Sequence, residues 1–193
     1  MNNEKIFSDQ LNEHKNLFLE IDKYESVILE AGQLICSSLS GGNKLLVCGN
    51  GGSAADAQHF SAELIGRFEK ERKALPAIAL TTDTSIITAL SNDYSYDTVF
   101  SRQVEALGEE GDIFVGISTS GNSRNILAAN EAAQKKGLKT IGLLGRDGGL
   151  LSSQMDISVV ISHKNTARIQ ESHIFIIHFW ASLIEKSLFS IDH

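Results

Sequence analysis

Residues 45–53 read LLVCGNGGS, and residues 113–123 read IFVGISTSGNS. Each stretch is an apolar run followed by a turn rich in glycine or hydroxyl residues, and each precedes a segment with helical spacing, which predicts two strand–turn–helix units. The start of a helix offers unpaired backbone N–H groups and the positive end of the helix dipole. Such turns suit a phosphate or another anionic oxygen, so a phosphorylated ligand is the first hypothesis.

Three further apolar runs follow the same pattern, at residues 77–80, 140–144 and 157–161. Helix-length segments separate most of the five runs, and short strands that alternate with helices are typical of parallel sheets. The sequence therefore predicts an α/β fold, a doubly wound five-stranded parallel sheet flanked by helices.

Helical periodicity marks both ends of the chain. Apolar residues from Glu4 to Leu39 predict one broken helix or two consecutive helices, and the segment from Ala167 to Leu188 predicts a long closing helix capped by Asn165 or Thr166. We find no internal repeat or linker. We therefore expect one domain over residues 1–193, with an N-terminal helical region at 1–40 and an α/β core with the closing helix at 41–193.

Composition limits the partners. The 193 residues carry 17 Lys and Arg against 24 Asp and Glu, a net charge of −7, and no stretch combines basic residues with aromatic ones, so nucleic-acid binding is disfavoured. The start of the chain is polar, and no apolar run approaches the ~20 residues of a membrane helix. We expect a cytoplasmic protein that binds no membrane.

Two other local features receive ordinary structural interpretations. Cys36 and Cys48 lie in apolar segments and are expected to be buried, reduced thiols. The charged stretch from Glu69 to Lys73 is expected to be a solvated loop or helix end.

The glycine turn also fits the dinucleotide-binding pattern G-x-G-x-x-A at residues 49–54. That fold requires an acidic residue at the end of its second strand, whereas Glu69 and Glu71 precede the predicted strand and Asp83 comes late. We therefore expect no nucleotide cofactor.

Two pairs of polar residues could carry chemistry. His59 and Glu63 share one face of the predicted helix and could be metal ligands or a carboxylate base beside an imidazole, although a surface ion pair has the same spacing. Gln170 and His178 lie about 80° apart around the closing helix and could face one cleft. A buried core histidine is the alternative interpretation of His178.

The serine turn supplies four hydroxyls, from Ser118, Thr119, Ser120 and Ser123. One hydroxyl is enough to cap a helix, so four of them favour an anion site over an ordinary cap.

Taken together, five ordered motifs resemble the phosphoheptose isomerases, a family of SIS (sugar isomerase) domain proteins. They are the residues 48–53, His59-x-x-x-Glu63, Asn92-Asp93, the residues 118–123, and the run from Arg168 to His178. The resemblance covers nearly the whole chain. It implies an enzyme that interconverts D-sedoheptulose 7-phosphate and D-glycero-D-manno-heptose 7-phosphate, at the start of heptose synthesis for lipopolysaccharide or other surface glycans.

The resemblance also implies roles for individual residues. The phosphate would be held by Ser118, Thr119, Ser120 and Ser123. Sugar contacts would come from Asn50, Gly51, Gly52, Ser53, Glu63, Arg67, Asn92, Asp93 and Gln170. One zinc or other divalent metal per subunit would be bound by His59, Glu63, Gln170 and His178. Glu63 and His178 would be the acid–base pair, and the family resemblance implies a homotetramer with active sites at subunit interfaces.

Two other functions remain open. The chain also resembles a non-catalytic SIS protein that binds the replication initiator DnaA, but that relative departs from the isomerase pattern at the positions of Glu63 and His178, which this chain keeps. An isomerase or sensor of another phosphosugar would need the same phosphate turn.

Overall fold

The computed structural model describes residues 3–189. Residues 1–2 and 190–193, which the predicted domain range 1–193 includes, lie outside the described part. The strands are β1 (Leu45–Gly49), β2 (Ala77–Ala79), β3 (Ile113–Ser118), β4 (Lys139–Gly145) and β5 (Ile157–Ile161). All neighbouring strands pair in parallel, in the order β2-β1-β3-β4-β5. The predicted five-stranded α/β fold is confirmed.

Seven helices surround this sheet in the described residues. They are α1 (Asn3–Phe18), α2 (Glu25–Ser40), α3 (Gly52–Ile65), α4 (Thr84–Asp93), α5 (Ser101–Leu107), α6 (Arg124–Lys135) and α7 (Thr166–Phe189). The predicted N-terminal region forms two consecutive helices joined by a 3₁₀ turn at Ile21–Tyr24. The closing helix is confirmed as well, and Asn165 caps it, since its Oδ1 accepts the N–H of Ala167 at 3.0 Å.

The sheet is buried on both faces because alternate residues of each strand enter different apolar cores. In β1, Leu45 and Val47 pack in the core that α2, α3 and α7 cover. Leu46 and Cys48 point into the second core, beneath α5 and α6. Cys36 and Cys48 are free and buried, as expected.

Trp180 belongs to the first core. It is fully buried on α7, its indole Nε1 donates to the carbonyl of Ile28 on α2 at 2.9 Å, and its ring centroid lies 5.9 Å from that of Phe60 on α3. This contact ties together the three helices on that face of the sheet. Within residues 3–189, none of the helices has the length and apolar character needed to cross a membrane.

The expectation of a solvated charged run is wrong at Arg72. The side chain of Arg72 is 1% exposed and forms an ion pair with Glu185 of α7, whose side chain is 2% exposed, with Nε and Oε1 3.1 Å apart. Burial of a charged residue requires such a partner, and the partner lies far away in the sequence.

Candidate active site

The glycine turn after β1 and the serine turn after β3 lie at the same edge of the sheet. β1 and β3 are neighbours and run in parallel, with Gly49 opposite Ile117. The chain leaves β1 toward β2 on one side, whereas β4 and β5 lie beyond β3 on the other side. Crevices at such a reversal of strand order are the usual ligand sites of open α/β sheets.

A pair of amides joins the glycine turn to the first turn of α6, which follows the serine turn. Asn50 Nδ2 donates to Asn125 Oδ1 at 3.0 Å, and Asn125 Nδ2 donates to Asn50 Oδ1 at 2.9 Å. The Tyr96 hydroxyl also donates to Asn50 Oδ1, at 3.1 Å. Asn125 and Tyr96 were not predicted as part of this region, since only the fold brings them to Asn50.

The hydroxyls of the serine turn are not used as a conventional helix cap. Ser123 occupies the N-cap position of α6 but makes no capping bond with its side chain. Its Oγ lies instead 3.1 Å from Ser118 Oγ, which also accepts the N–H of Gly121 at 3.1 Å. Ser120 Oγ accepts the N–H of Asn122 at 3.2 Å. An N-terminus without a side-chain cap suits an anionic ligand.

A glycine-rich loop after β4 supports the serine turn from behind. Leu151 donates its N–H to the carbonyl of Gly121 at 3.0 Å, and Leu150 donates to Asn122 Oδ1 at 3.1 Å. Gly121 has φ of +65°, and a Cβ there would lie 1.9 Å from the carbonyl oxygen of Gly148. Only glycine fits this close approach between two backbone segments.

An open cleft of about 640 Å³ lies beside the serine turn and carries two cationic side chains and a histidine. Its lining residues are Ser120, Asn122, Arg146, Asp147, Ser162, His163 and Lys164. Arg146 adopts a left-handed backbone conformation with φ of 58°. The cationic groups favour an anion near the turn, although Asp147 opposes them.

His59, Glu63 and His178 converge from α3 and α7. His59 Nε2 lies 2.8 Å from Glu63 Oε1 and 3.1 Å from His178 Nε2. One ligand atom from each of the three residues lies within 4.8 Å of the others. The side chains of His59, Glu63 and His178 therefore lie together, and these three residues form the His–Glu–His group. His173 is the core histidine of α7 instead, since it is fully buried and its ring lies 3.0 Å from the carbonyl of Leu144.

Two imidazole nitrogens and a carboxylate oxygen form a donor set that zinc and similar divalent metals accept. The residues thus fit a metal ion. Gln170, the predicted fourth ligand, lies against the glycine turn. A Cβ added at Gly52 would lie only 2.4 Å from the amide nitrogen of Gln170. Its part in metal binding stays a prediction.

The remaining predicted site residues lie on separate elements. Ser53 is buried in the first turn of α3, whereas Gly51 and Gly52 are exposed. Arg67 follows α3 with an exposed side chain, its Nε 3.8 Å from Glu71 Oε2. Asn92 and Asp93 are the last two residues of α4, and Asn92 Nδ2 donates a hydrogen bond to Asp93 Oδ1 at 2.8 Å. Within residues 3–189, no hydrogen bond or ion pair joins Arg67, Asn92 or Asp93 to His59, Glu63 or His178.

Asp56 adds an acidic group one helical turn before His59. Burial raises the pKa of Asp56 to about 6, and the nearby His59 opposes that rise. Its Oδ2 is buried without a hydrogen-bond partner among the described residues. Near neutral pH this carboxyl can therefore exist in both protonation states.

Comparison with known proteins identifies the family. The model of the SIS domain matches residues 11–145. The phosphoheptose isomerase of Geobacter sulfurreducens is 59% identical over 84% of this chain and 86% of its own length. The chain belongs to the phosphoheptose isomerase family.

Solved structures of this family have the same fold. The phosphoheptose isomerase of Neisseria gonorrhoeae superposes with a TM-score of 0.91 at 44% identity, covering 95% of this chain and 98% of that one. The phosphoheptose isomerase of Francisella tularensis gives 0.93 at 39% identity, covering 96% and 100%. Membership in this family confirms that the chain is an enzyme of the aldose–ketose isomerase class.

Proposed function

We propose that the protein interconverts D-sedoheptulose 7-phosphate and D-glycero-D-manno-heptose 7-phosphate, as a single SIS domain of the cytoplasm. The product would supply heptose for lipopolysaccharide or other surface glycans. The names of the relatives support the heptose phosphate as substrate. The observation that carries the proposal for this chain is the convergence of Glu63 and His178, which stand on different helices.

Interconversion of a ketose and an aldose needs a proton to move from C1 to C2 through an enediol. A carboxylate close to both carbons can remove the proton and return it. Glu63 has this role in our proposal, and its side chain is 21% exposed, which leaves it open to a substrate. His178 transfers the other proton between the oxygens on C1 and C2.

The metal of the proposal is zinc or another divalent ion, held by His59, Glu63 and His178 with Gln170 as the fourth ligand. When bound, such an ion supplies Lewis-acid polarisation of the sugar oxygens. Glu63 belongs to both the proposed ligand set and the acid–base pair, so removal of the metal tests which role dominates.

The phosphate group would bind at the serine turn, through Ser118, Thr119, Ser120 and Ser123. The uncapped start of α6 and the hydroxyl pair of Ser118 and Ser123 support this assignment. The Asn50–Asn125 amide pair would then hold the glycine turn beside the reacting carbons. Gly51, Gly52, Ser53, Arg67, Asn92, Asp93 and Gln170 complete the proposed sugar contacts.

A homotetramer is part of the same proposal. Exposed apolar side chains in the N-terminal region and on α7 support association through these surfaces. They are Ile6, Phe7, Leu11, Leu19 and Phe175. Arg67, Asn92 and Asp93 would reach substrate across a subunit boundary. Light scattering at assay concentration should give four times the mass of the 21.0 kDa chain.

The direct test is conversion of sedoheptulose 7-phosphate by the purified protein and by two variants. Glu63→Gln and His178→Ala should each lower kcat by at least about 100-fold, because each removes a group that transfers a proton. A Glu105→Gln variant, which changes an exposed carboxylate on α5 outside the proposed site, is the control. Activity close to that of the wild type in either site variant would refute the mechanism. Lack of turnover by the wild type, with tight binding to DnaA, would favour the initiator-binding alternative.

A further inference from the structure

Arg72 closes the carboxyl end of the helix that carries Glu63. Its Nη2 donates to the carbonyl of Glu63 at 2.6 Å, and its Nη1 donates to the carbonyl of Leu64 at 2.6 Å. The last carbonyls of a helix have no partners within the helix, so a cation there satisfies them and is favoured by the helix dipole. The guanidinium of Arg72 thereby fixes the final turn of α3, on which Glu63 stands.

Glu185 holds the loop that follows α3. Its carboxylate accepts the backbone N–H groups of Phe68, Glu69 and Lys70, each at 2.9 Å, as well as Arg72 Nε at 3.1 Å. Burial opposes ionisation, but the three N–H groups and Arg72 outweigh it and lower the pKa of Glu185. The buried pair is therefore ionised and fully hydrogen-bonded at neutral pH.

The ion pair links the two helices of the His–Glu–His group, because Arg72 bonds to the last turn of α3 and Glu185 stands on α7. Glu185 follows His178 by seven residues on α7 and so lies on the same face of that helix. The loop between them places the ring of Phe68 against the imidazole of His178, with centroids 5.6 Å apart and planes 28° from parallel. The ion pair is therefore connected to Glu63 through the bonds from Arg72 to the backbone of α3. It is connected to His178 through the ring of Phe68.

We propose that Arg72, Glu185 and Phe68 are positioning residues for Glu63 and His178. The ion pair fixes the spacing of α3 and α7, and Phe68 holds the imidazole ring of His178 in the orientation that directs Nε2 toward His59 and Glu63. Their role in turnover rests on the proposed function above. Their role in arranging the three side chains does not depend on the substrate, so a metal probe can test it separately.

The test compares Glu185→Gln, Arg72→Lys and Phe68→Leu with the wild type. Glutamine keeps the shape of Glu185 but removes its charge, lysine keeps the charge of Arg72 but loses the planar fork, and leucine removes the stacked ring. Arg102→Lys is the matched control, since Arg102 forms an exposed ion pair with Glu105 at 3.4 Å. Circular dichroism at the assay temperature verifies that each variant is folded.

Two measurements are made on the folded proteins. We expect kcat for sedoheptulose 7-phosphate to fall about tenfold or more with KM within about twofold, because the side chains that bind the phosphate stay in place. We also expect Zn²⁺ affinity, measured by competition with a chromogenic chelator, to fall about tenfold, as is usual when groups that orient metal ligands are removed. A merely structural ion pair would lower thermal stability without changing the zinc affinity of the folded protein.

The proposal is overturned if folded Glu185→Gln and Phe68→Leu both keep wild-type kcat and zinc affinity within about twofold. If Arg72→Lys does not fold, Glu185→Gln still tests the ion pair, and Phe68→Leu tests the ring contact with the ion pair intact. A wild-type protein that binds Zn²⁺ but does not convert the sugar would contradict the proposed function, whereas the zinc affinities of the variants would still support or overturn the positioning role.

Discussion

Replacement of Gly121 by alanine should separate the serine turn from the loop that supports it. A Cβ at this position would lie 1.9 Å from the carbonyl oxygen of Gly148 and 2.2 Å from its carbonyl carbon. Ordinary contacts begin near 3.4 Å, so the two backbone segments must move apart by about 1.5 Å. The new methyl group meets backbone, which cannot rotate away as a side chain could.

The expected cost has two parts. The left-handed φ of +65° costs an alanine about 1 kcal/mol, and overpacking against backbone adds about 1–3 kcal/mol. Gly42→Ala is the matched control, since Gly42 has φ of +85° and nothing within 4 Å of the added Cβ. Gly42→Ala should therefore show only the conformational part, about 1 kcal/mol.

Urea unfolding of the wild type and both variants measures these costs, and steady-state kinetics with the phosphosugar gives KM. We expect Gly121→Ala to lose at least about 1 kcal/mol more than Gly42→Ala and to show a KM raised about tenfold, because the proposed phosphate turn is displaced. Equal losses of stability in the two variants, together with an unchanged KM, would refute this account of the turn.

Two further predictions concern pH and metal removal. Burial lowers the pKa of His173 to about 4 from its usual 6.5, so the unfolded chain binds a proton between these values that the folded chain does not. The free energy of unfolding should therefore fall as the pH drops from about 6.5 to about 4, and His173 should account for about 3 kcal/mol of that fall. In urea titrations at several pH values, His173→Gln should lack this contribution to the pH dependence of stability. Dialysis against a chelator should lower the melting temperature and activity of the wild type, and added Zn²⁺ should restore both, because a ligand that binds only the folded state stabilises it. His59→Ala should show no change of melting temperature with Zn²⁺, and an equal response of this variant would exclude His59 as a ligand.

Much of the fold follows from local sequence. Each strand is a short apolar run, and each of the two turns ends such a run with glycine or hydroxyl residues, so the alternation of strands and helices is visible without tertiary information. The cap of α7 is equally local, since Asn165 bonds the N–H two residues on. Helical spacing placed His59 and Glu63 on one face, and their contact at 2.8 Å follows from it.

Contacts between distant residues could not be predicted in this way. Arg72 stands in a charged run that favours exposure, and its burial depends on Glu185, 113 residues further along the chain. Asn50 pairs with Asn125 across 75 residues, and neither amide carries a signal for the other. The family resemblance gave roles to His178 and Gln170, but only the folded chain shows that His178 meets His59 while Gln170 lies against Gly52.

Trp180 gives the protein a built-in optical probe. It is the only tryptophan of the chain, so intrinsic indole fluorescence arises at a single known place, between α2, α3 and α7. Its neighbour Phe60 directly follows His59 on α3, and Trp180 itself comes two residues after His178 on α7. The wavelength and intensity of its emission therefore report, without any label, how the two helices that carry the His–Glu–His group are seated against each other.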